Sequence, residues 1–301
     1  MIRLVLSLLL VSWIGASTAV AQDLEPRAYT NTPVGLNFLL AGYAYQTGDV
    51  VTDAAVPLED GKVHVHSAVL AYARSFGLFG NASKFDVIVP YGWASGSATV
   101  GGQERNRSIN GFGDPRFRLS TNFYGAPALE LDEFEDYHQD VIIGASLQIA
   151  PPFGQYDPNK ILNIGTNRWA FKPEIGISKT IGPASLELAP SVTFFTDNQD
   201  YLGKTRKQDP IYAVQGHLVY RFGRPLWASF DGTYYGGGMS TLDGVENDDR
   251  QANARIGLTL ALSVSRYNSI KFYASKAVAT RIGGDFDLLG MAFQLRWGGG
   301  L

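Results

Sequence analysis

The sequence contains no cysteine and only four histidines among 301 residues. Without cysteine, the chain has neither a disulfide framework nor a thiolate metal site. Charged residues are also scarce, at 18% against the ~25% of typical soluble domains. A formal net charge of −3 provides no overall positive field for nucleic acid. These absences exclude disulfide-rich, thiolate-zinc and nucleic-acid-binding proteins.

Long hydrophobic runs are absent beyond the first 21 residues. The N-terminal run LVLSLLLVSWI, residues 4–14, follows the positive charge of Arg3 and precedes the small residues Ala19 and Ala21. It is shorter than the ~20 residues that a membrane-spanning helix needs. We therefore expect residues 1–21 to be a cleaved signal peptide and residues 22–301 to form one exported domain.

A period of two residues runs through the rest of the chain. In RWAFKPEIGISK, Trp169, Phe171, Ile175 and Ile177 alternate with charged, small or hydroxylated residues. A strand places such alternating side chains on opposite faces, whereas a helix would scatter them. Alternating segments of about ten residues are typical of transmembrane β-barrels. The sequence predicts twelve of them, at residues 34–45, 61–76, 83–94, 112–123, 138–151, 168–180, 183–196, 209–222, 226–237, 252–263, 268–279 and 285–297.

The connections between these segments alternate between long, such as GSATVGGQERNRSING, and short, such as IGP and GRP. Bacterial barrels have short periplasmic turns and longer outer loops. The exception is residues 125–137, GAPALELDEFEDY, where we expect a short acidic periplasmic helix. Aromatic residues near the strand ends suit the headgroup level of a bilayer. The sequence thus predicts an all-β, antiparallel transmembrane barrel of about twelve strands in a Gram-negative outer membrane, rather than a soluble β-sandwich.

The alternation also assigns faces. Lipid offers no hydrogen-bond partners, so the apolar face should meet acyl chains and the polar face should meet the lumen. Cations outnumber anions on the polar face, which predicts a conduit with a mild preference for anions. Tyr235 and Tyr273 fall on the same inner face. The alternative is a salt-bridged interior that packs itself. The predicted pore lining is Arg116, Arg118, Asn122, Lys172, Glu174, Glu187, Gln215, His217, Arg221, Asp231, Arg255, Lys271, Gln294 and Arg296.

Two prolines and a pair of histidines stand out within the predicted strands. Pro173 and Pro190 lack the N–H that a closed barrel needs, so we expect a bulge or kink at each. His64 and His66 in KVHVH share one strand face. Because no third ligand is within reach in the sequence, we interpret them as polar residues facing the barrel mouth rather than as a metal site.

Several stretches resemble the family of outer-membrane proteins named for the meta-cleavage pathway of phenol degradation. They are LEPRAYTNTPVGLNFLLAGYAYQTGDV, FGDPRFRLSTNFYGAPALEL, GQYDPNKILNIGTNRWAFKPEIGISK, LELAPSVTFFTDN and KTRKQDPIYAVQGHLVYRF. The resemblance covers essentially the whole mature chain and implies an outer-membrane barrel that moves small, often aromatic, compounds. It brings no catalytic residues. The end of the last strand, Gly290 to Trp297, also resembles the signal read by the barrel assembly machinery, although Gly298 to Leu301 follow the aromatic residue.

We therefore expect an outer-membrane channel or transporter for small organic compounds, aromatic or anionic ones among them. The alternatives are an outer-membrane enzyme of the lipid-hydrolase type and a structural or adhesive barrel without transport. The sequence has no G-x-S-x-G nucleophile motif, so we expect no enzyme, catalytic residue, metal or cofactor. The expected partners are outer-membrane lipid, lipopolysaccharide, the barrel assembly machinery during biogenesis and a small-molecule solute, but not nucleic acid.

Overall fold

The computed structural model describes residues 24–51, 58–100, 102–160, 162–223 and 225–301. The expected signal peptide, residues 1–21, lies outside these residues. The strands are β1 (Leu36–Val51), β2 (Leu58–Leu78), β3 (Asn81–Val100), β4 (Gln103–Phe112), β5 (Arg116–Tyr124), β6 (Val141–Ala150), β7 (Ala170–Ile181), β8 (Ala184–Phe195), β9 (Asn198–Tyr201), β10 (Lys204–Gln208), β11 (Ile211–Arg221), β12 (Leu226–Gly237), β13 (Ser240–Leu242), β14 (Val245–Glu246), β15 (Gln251–Ser263), β16 (Asn268–Ala279) and β17 (Gly283–Gly298). A short 3₁₀ helix, η1, spans Glu133–Asp136.

Twelve of these strands form a closed antiparallel barrel: β1–β3, β5–β8, β11, β12 and β15–β17. The first and last strands pair along their whole length, from Leu36 with Gly298 to Val51 with Gly283. Closure gives each wall strand two hydrogen-bonded neighbours. A bilayer requires this because lipid cannot form hydrogen bonds with backbone N–H and C=O groups. The predicted all-β barrel of twelve strands is confirmed.

The outer face of the wall is apolar. Leu258 on β15 and Leu289 on β17 are 62% and 65% exposed, while their neighbours Gly257, Thr259 and Gly290 are buried. This alternation is what the sequence predicted for lipid-facing and lumen-facing positions. In the described part of the chain, no helix has both the length and the apolar character needed to cross a membrane.

One predicted loop is instead paired strand. β3 and β4 form a hairpin from Tyr91 with Phe112 to Val100 with Gln103, in the region we expected to be a long loop. The predicted strand 112–123 is therefore divided, because β4 ends at Phe112 and β5 begins at Arg116. The hairpin lacks clear alternation since a strand pair that projects into water needs no apolar face.

Long connections gather at one end of the barrel, which by the rule of loop length is the extracellular end. There β9, β10, β13 and β14 form a separate four-stranded sheet. In it, Arg206 of β10 pairs with Leu242 of β13. We call this sheet, together with residues 151–160, 162–169 and 247–250 of the adjoining connections, the cap. At the opposite end, the expected acidic helix is the single turn η1, preceded by the N-cap Asp132.

The bulges expected at the two prolines are absent. Pro173 pairs in register with Leu147 of β6, and Pro190 pairs in register with Val214 of β11. Between β7 and β8 the register is also constant, although the ladder omits several pairs between Phe171 and Ile177. The missing N–H groups are therefore accommodated by local loss of pairing between these two strands rather than by an inserted residue.

Candidate functional site

The lumen contains a segment of the chain itself. Residues 24–31, which precede β1, lie inside the barrel, and we call them the plug. The Glu25 amide donates to Gln215 Oε1 at 3.3 Å and the Arg27 amide donates to Glu187 Oε2 at 2.6 Å. Asn122 Nδ2 donates to the Tyr29 carbonyl at 3.1 Å. Three predicted lining residues, on β11, β8 and β5, thus bind the plug backbone.

Tyr29 is the buried anchor of the plug. Its hydroxyl donates to Glu174 Oε1 at 3.0 Å and lies 3.2 Å from Ser146 Oγ. Its ring lies against Gly144 and Gly176, which pair with each other across β6 and β7. A β-carbon on Gly144 would lie 2.6 Å from Tyr29 Cδ1, and one on Gly176 only 2.0 Å from Tyr29 Cδ2. The two glycines therefore form a slot for the Tyr29 ring, and a side chain at either position would collide with that ring.

The plug also carries charges that meet opposite charges on the wall. Glu25 forms an ion pair with Arg118, whose Nε donates to Asp86 Oδ2 at 2.9 Å. Arg27 lies with its guanidinium carbon 5.3 Å from the centroid of the Trp227 ring. Burial of such charges is tolerated only where they are paired and hydrogen-bonded. The plug is thus held by specific polar contacts and not by strand pairing.

A second polar network lies deeper in the wall. His217 Nδ1 is 2.8 Å from Asp231 Oδ1, and both side chains are almost completely buried. Asp231 Oδ2 accepts hydrogen bonds from Ser229 at 3.0 Å and Thr259 at 2.9 Å. Both oxygens of this buried carboxylate therefore have hydrogen-bond partners, one on its own strand β12 and one on each of the neighbouring strands β11 and β15.

The remaining predicted lining residues differ in their surroundings. Lys172 pairs with Glu174 at 3.3 Å, and Lys271 Nζ lies 5.9 Å from the Tyr273 ring centroid. Arg255 donates to Ser275 and to the Phe286 carbonyl, at 3.1 and 2.7 Å. At the periplasmic rim, Arg221 donates to the Gly182 carbonyl and Arg296 to the Arg266 carbonyl. Arg116 and Gln294 are half-buried.

A small cavity lies beside the plug. A cavity of about 10 Å³ lies between the plug and the wall, bordered by Tyr29, Glu174, Gln215 and His217. A cavity of this size holds about one water molecule. Organic solutes are larger than this cavity, so none fits into it while the plug is in place.

The cap is tied together by buried polar groups. Asp114 accepts hydrogen bonds from the Gly154 amide, at 2.8 Å, and from the Thr166 amide and hydroxyl, at 2.8 and 2.7 Å. The buried Arg168 donates to Gln208 and lies with its guanidinium carbon 4.1 Å from the Phe195 ring centroid. Burial lowers the pKa of the Arg168 guanidinium. These contacts join the connection to the cap sheet at the extracellular end of the barrel.

Asp249 is a second buried charge in the cap. Its Oδ1 accepts a hydrogen bond from the Ser240 amide at 2.7 Å, whereas Oδ2 is buried without a hydrogen-bond partner. Burial raises the pKa of the Asp249 carboxyl to about 6, although the Ser240 amide opposes the shift. This part of the cap therefore titrates in a mildly acidic range.

His64 and His66 lie on the outer wall, where they are exposed. His64 Nδ1 is 2.8 Å from Thr47 Oγ1, and His66 Nδ1 is 2.6 Å from Tyr43 Oη. Their neighbours are hydroxyls rather than metal-binding groups, and the described part of the chain contains no cluster of three or more His, Cys, Asp or Glu that could hold a metal ion.

The plug was missed by the sequence analysis because it has no periodicity. One signal for it was present: Gly144, Gly176 and Gly257 occupy lumen-facing positions where the pattern elsewhere places larger polar side chains. Gly257 accommodates Leu24, whose Cδ1 would lie 2.6 Å from a β-carbon there. Glycines on the inner face of a barrel wall indicate close approach of another backbone or side chain.

Comparison with known proteins gives a family and a fold. A family model with the description "Putative MetA-pathway of phenol degradation" matches residues 43–286. The COG4313 outer membrane channel from Pseudomonas putida F1 is similar in structure, with a TM-score of 0.79 and 19% identity over 91% of this chain and 100% of that chain. The beta domain of the Bordetella autotransporter Brka aligns with a TM-score of 0.53 and 10% identity, over 88% of this chain and 100% of that one. No curated protein sequence matches this chain.

Proposed function

Because this chain belongs to the family of the MetA-pathway of phenol degradation, and folds as an outer-membrane barrel, we propose that it is a plugged channel for small organic solutes. Its solutes include aromatic and anionic compounds. The observation that supports this proposal most directly is the plug. A barrel whose role is purely structural has no need of a separate segment that lies in its lumen and is held there by polar contacts instead of strand pairing.

The polar wall behind the plug supplies the conduit. Arg118, Lys172 and Lys271 lie on lumen-facing positions, and low-dielectric walls strengthen the field of such charges. With the plug displaced, the predicted lining residues around it would face the passing solute. We assign no catalytic role to any residue. The proposed partners are outer-membrane lipid, lipopolysaccharide, the assembly machinery and the solute.

The test is conductance with and without the plug. The wild-type protein and a variant lacking residues 24–31 are reconstituted into planar bilayers, after a boiled and unboiled gel shift verifies that each barrel is folded. We expect low conductance in wild type and a several-fold larger conductance in the truncated variant. Equal conductance, or none in either protein, would contradict the proposed function.

Selectivity is measured on the same bilayers. Across a salt gradient, the reversal potential of the truncated variant should indicate anion preference, and the preference should weaken at 1 M salt because screening shortens to ~3 Å. Changing Arg116, Arg118 and Arg221 to Gln should reduce it further. A cation-selective pore would contradict the proposed preference for anions.

A further inference from the structure

The carboxylate of Glu25 lies among four cationic side chains of the wall. It forms an ion pair with Arg118 of β5. Lys84 and Lys172, on β3 and β7, lie close enough to attract it electrostatically. The ammonium group of Lys271 on β16 also interacts electrostatically with this carboxylate. Four different strands therefore supply positive charge to one acidic group, and that group belongs to the plug rather than to the wall.

The wall alone leaves this region with an excess of positive charge. Asp86 is paired with Arg118 at 2.9 Å and with Lys84 at 3.8 Å, and Glu174 is paired with Lys172 at 3.3 Å. Asp231 is the third wall carboxylate, held by His217 and near Lys271. Four cations thus face three carboxylates, and Glu25 is the fourth. Withdrawal of the plug exposes one unbalanced positive charge.

The other plug charge does not alter this balance. Arg27 interacts with Glu187 near the periplasmic end of β8 and is repelled by Arg221, the last residue of β11. When the plug leaves, Glu187 and Arg221 remain as charges of opposite sign at that end. The excess positive charge therefore stays with the group around Arg118.

An aromatic surface adjoins the cationic group. Lys271 Nζ lies 5.9 Å from the Tyr273 ring centroid. The Tyr273 ring covers Gly290, since a β-carbon at position 290 would lie 2.3 Å from Tyr273 Cζ. A ring lying flat along the wall offers a face to the apolar part of a solute whose carboxylate is bound nearby. The combination suits an aromatic carboxylate better than a neutral sugar.

We propose that Glu25 occupies a carboxylate-binding site in the lumen, and that small aromatic carboxylates compete with Glu25 for Arg118 and the surrounding lysines. The solute would then favour the state in which the plug is withdrawn, because it binds only that state. This inference deepens the proposed function and rests on it. While the plug is in place, the Glu25 carboxylate occupies the position that the carboxylate of the solute would take.

The test measures benzoate binding to the folded barrel in detergent by titration calorimetry. Glu25→Gln removes the competing charge, and charge-assisted hydrogen bonds of this kind correspond to a change of about tenfold or more in an equilibrium constant. We expect benzoate to bind Glu25→Gln at least about tenfold more tightly than wild type. The matched control is Glu135→Gln, which removes an exposed carboxylate on η1 and should leave benzoate binding unchanged.

A neutral ligand and variants that remove a cation test whether binding depends on charge. Benzamide should bind Glu25→Gln and wild type equally. In the Glu25→Gln background, Arg118→Gln should abolish benzoate binding, and Lys271→Gln serves the same purpose if Arg118→Gln fails the gel-shift test for folding. Unchanged benzoate affinity in Glu25→Gln, or an equal gain for benzamide, would overturn the carboxylate site.

Bilayer currents separate the two proposals. If the truncated variant conducts with anion preference while Glu25→Gln binds benzoate no better than wild type, the carboxylate site is wrong and the channel stands. If Glu25→Gln binds benzoate tightly while no variant conducts, the site stands and the channel is wrong.

Discussion

Tyr29 of the plug contacts Gly176 of β7 so closely that a β-carbon at position 176 would lie 2.0 Å from Tyr29 Cδ2. The ring of Tyr29 therefore fits against the wall only because position 176 is glycine. The hydroxyl of the same side chain donates a hydrogen bond to Glu174, two residues earlier on β7. One strand thus binds both the apolar and the polar part of Tyr29. Disturbing either contact should change how often the plug leaves.

Gly176→Ala should displace the plug. Overpacking a well-packed contact costs about 1–3 kcal/mol, which shifts a two-state equilibrium by roughly 5–150-fold. We expect single-channel recordings to show a correspondingly larger open fraction. Gly216→Ala is the control, because its nearest contact would be the Glu187 carbonyl at 3.8 Å. A similar gain in both variants would mean that the slot does not hold the plug.

Tyr29→Phe should loosen the plug while leaving its ring in place. The lost hydrogen bonds are those to Glu174 and Ser146. A bond to a charged group contributes about 1.5 kcal/mol, so the open fraction should rise roughly tenfold. Tyr212→Phe changes an exposed tyrosine on the outer face and should not alter gating. A Tyr29→Phe channel that gates like wild type would indicate that the ring alone anchors the plug.

The sequence predicted the barrel wall because lipid forces a period of two on every spanning strand. Ile175 and Leu258 illustrate this, since both are exposed on the outer face as predicted. The β3–β4 hairpin and the cap sheet were not predicted, because strands surrounded by water need not alternate. For the same reason the strand ends at Phe112 and Arg116 were misplaced.

The lumen was predicted only in part. Alternation identified Arg118, Glu174, Glu187 and Gln215 as inward-facing, and these side chains bind the plug. The sequence did not predict that these side chains bind the plug. Glu25 and Arg118, for example, are 93 positions apart, and a contact over that distance produces no periodic pattern in the sequence. Predicted bulges at Pro173 and Pro190 were wrong since the strands lose pairs locally instead.

Leu258→Arg should destabilise the barrel in the membrane. Arginine on the lipid face costs about 2–4 kcal/mol near the bilayer midplane and about 0–1 kcal/mol near the interfaces. Leu258 lies in the middle of β15, whereas Leu262 lies next to its end and serves as the control. The free energy of unfolding, measured by denaturant titration in lipid vesicles, should fall much more for Leu258→Arg. Equal losses would place the midplane elsewhere on β15.

Acidification should stabilise the cap around Asp249. Burial raises the pKa of this carboxyl to about 6 from an ordinary 3.8, so the folded cap favours the protonated form. The resulting stabilisation is complete below the ordinary pKa and is lost as the pH rises through about 6. Exchange of the Ser240 amide, which donates to Asp249 Oδ1, should therefore be better protected at about pH 5 than at about pH 8 after correction for intrinsic rates.

Two neighbouring variants isolate the responsible group. Asp249→Asn cannot ionise, so protection of the Ser240 amide should lose this pH dependence while the hydrogen bond from Ser240 to the side-chain oxygen is kept. Asp248→Asn removes an exposed carboxylate that pairs with Arg281 at 2.7 Å, and it should retain the wild-type response. If instead Asp248→Asn abolishes the response and Asp249→Asn preserves it, the titrating group of the cap is the exposed ion pair and not the buried carboxyl.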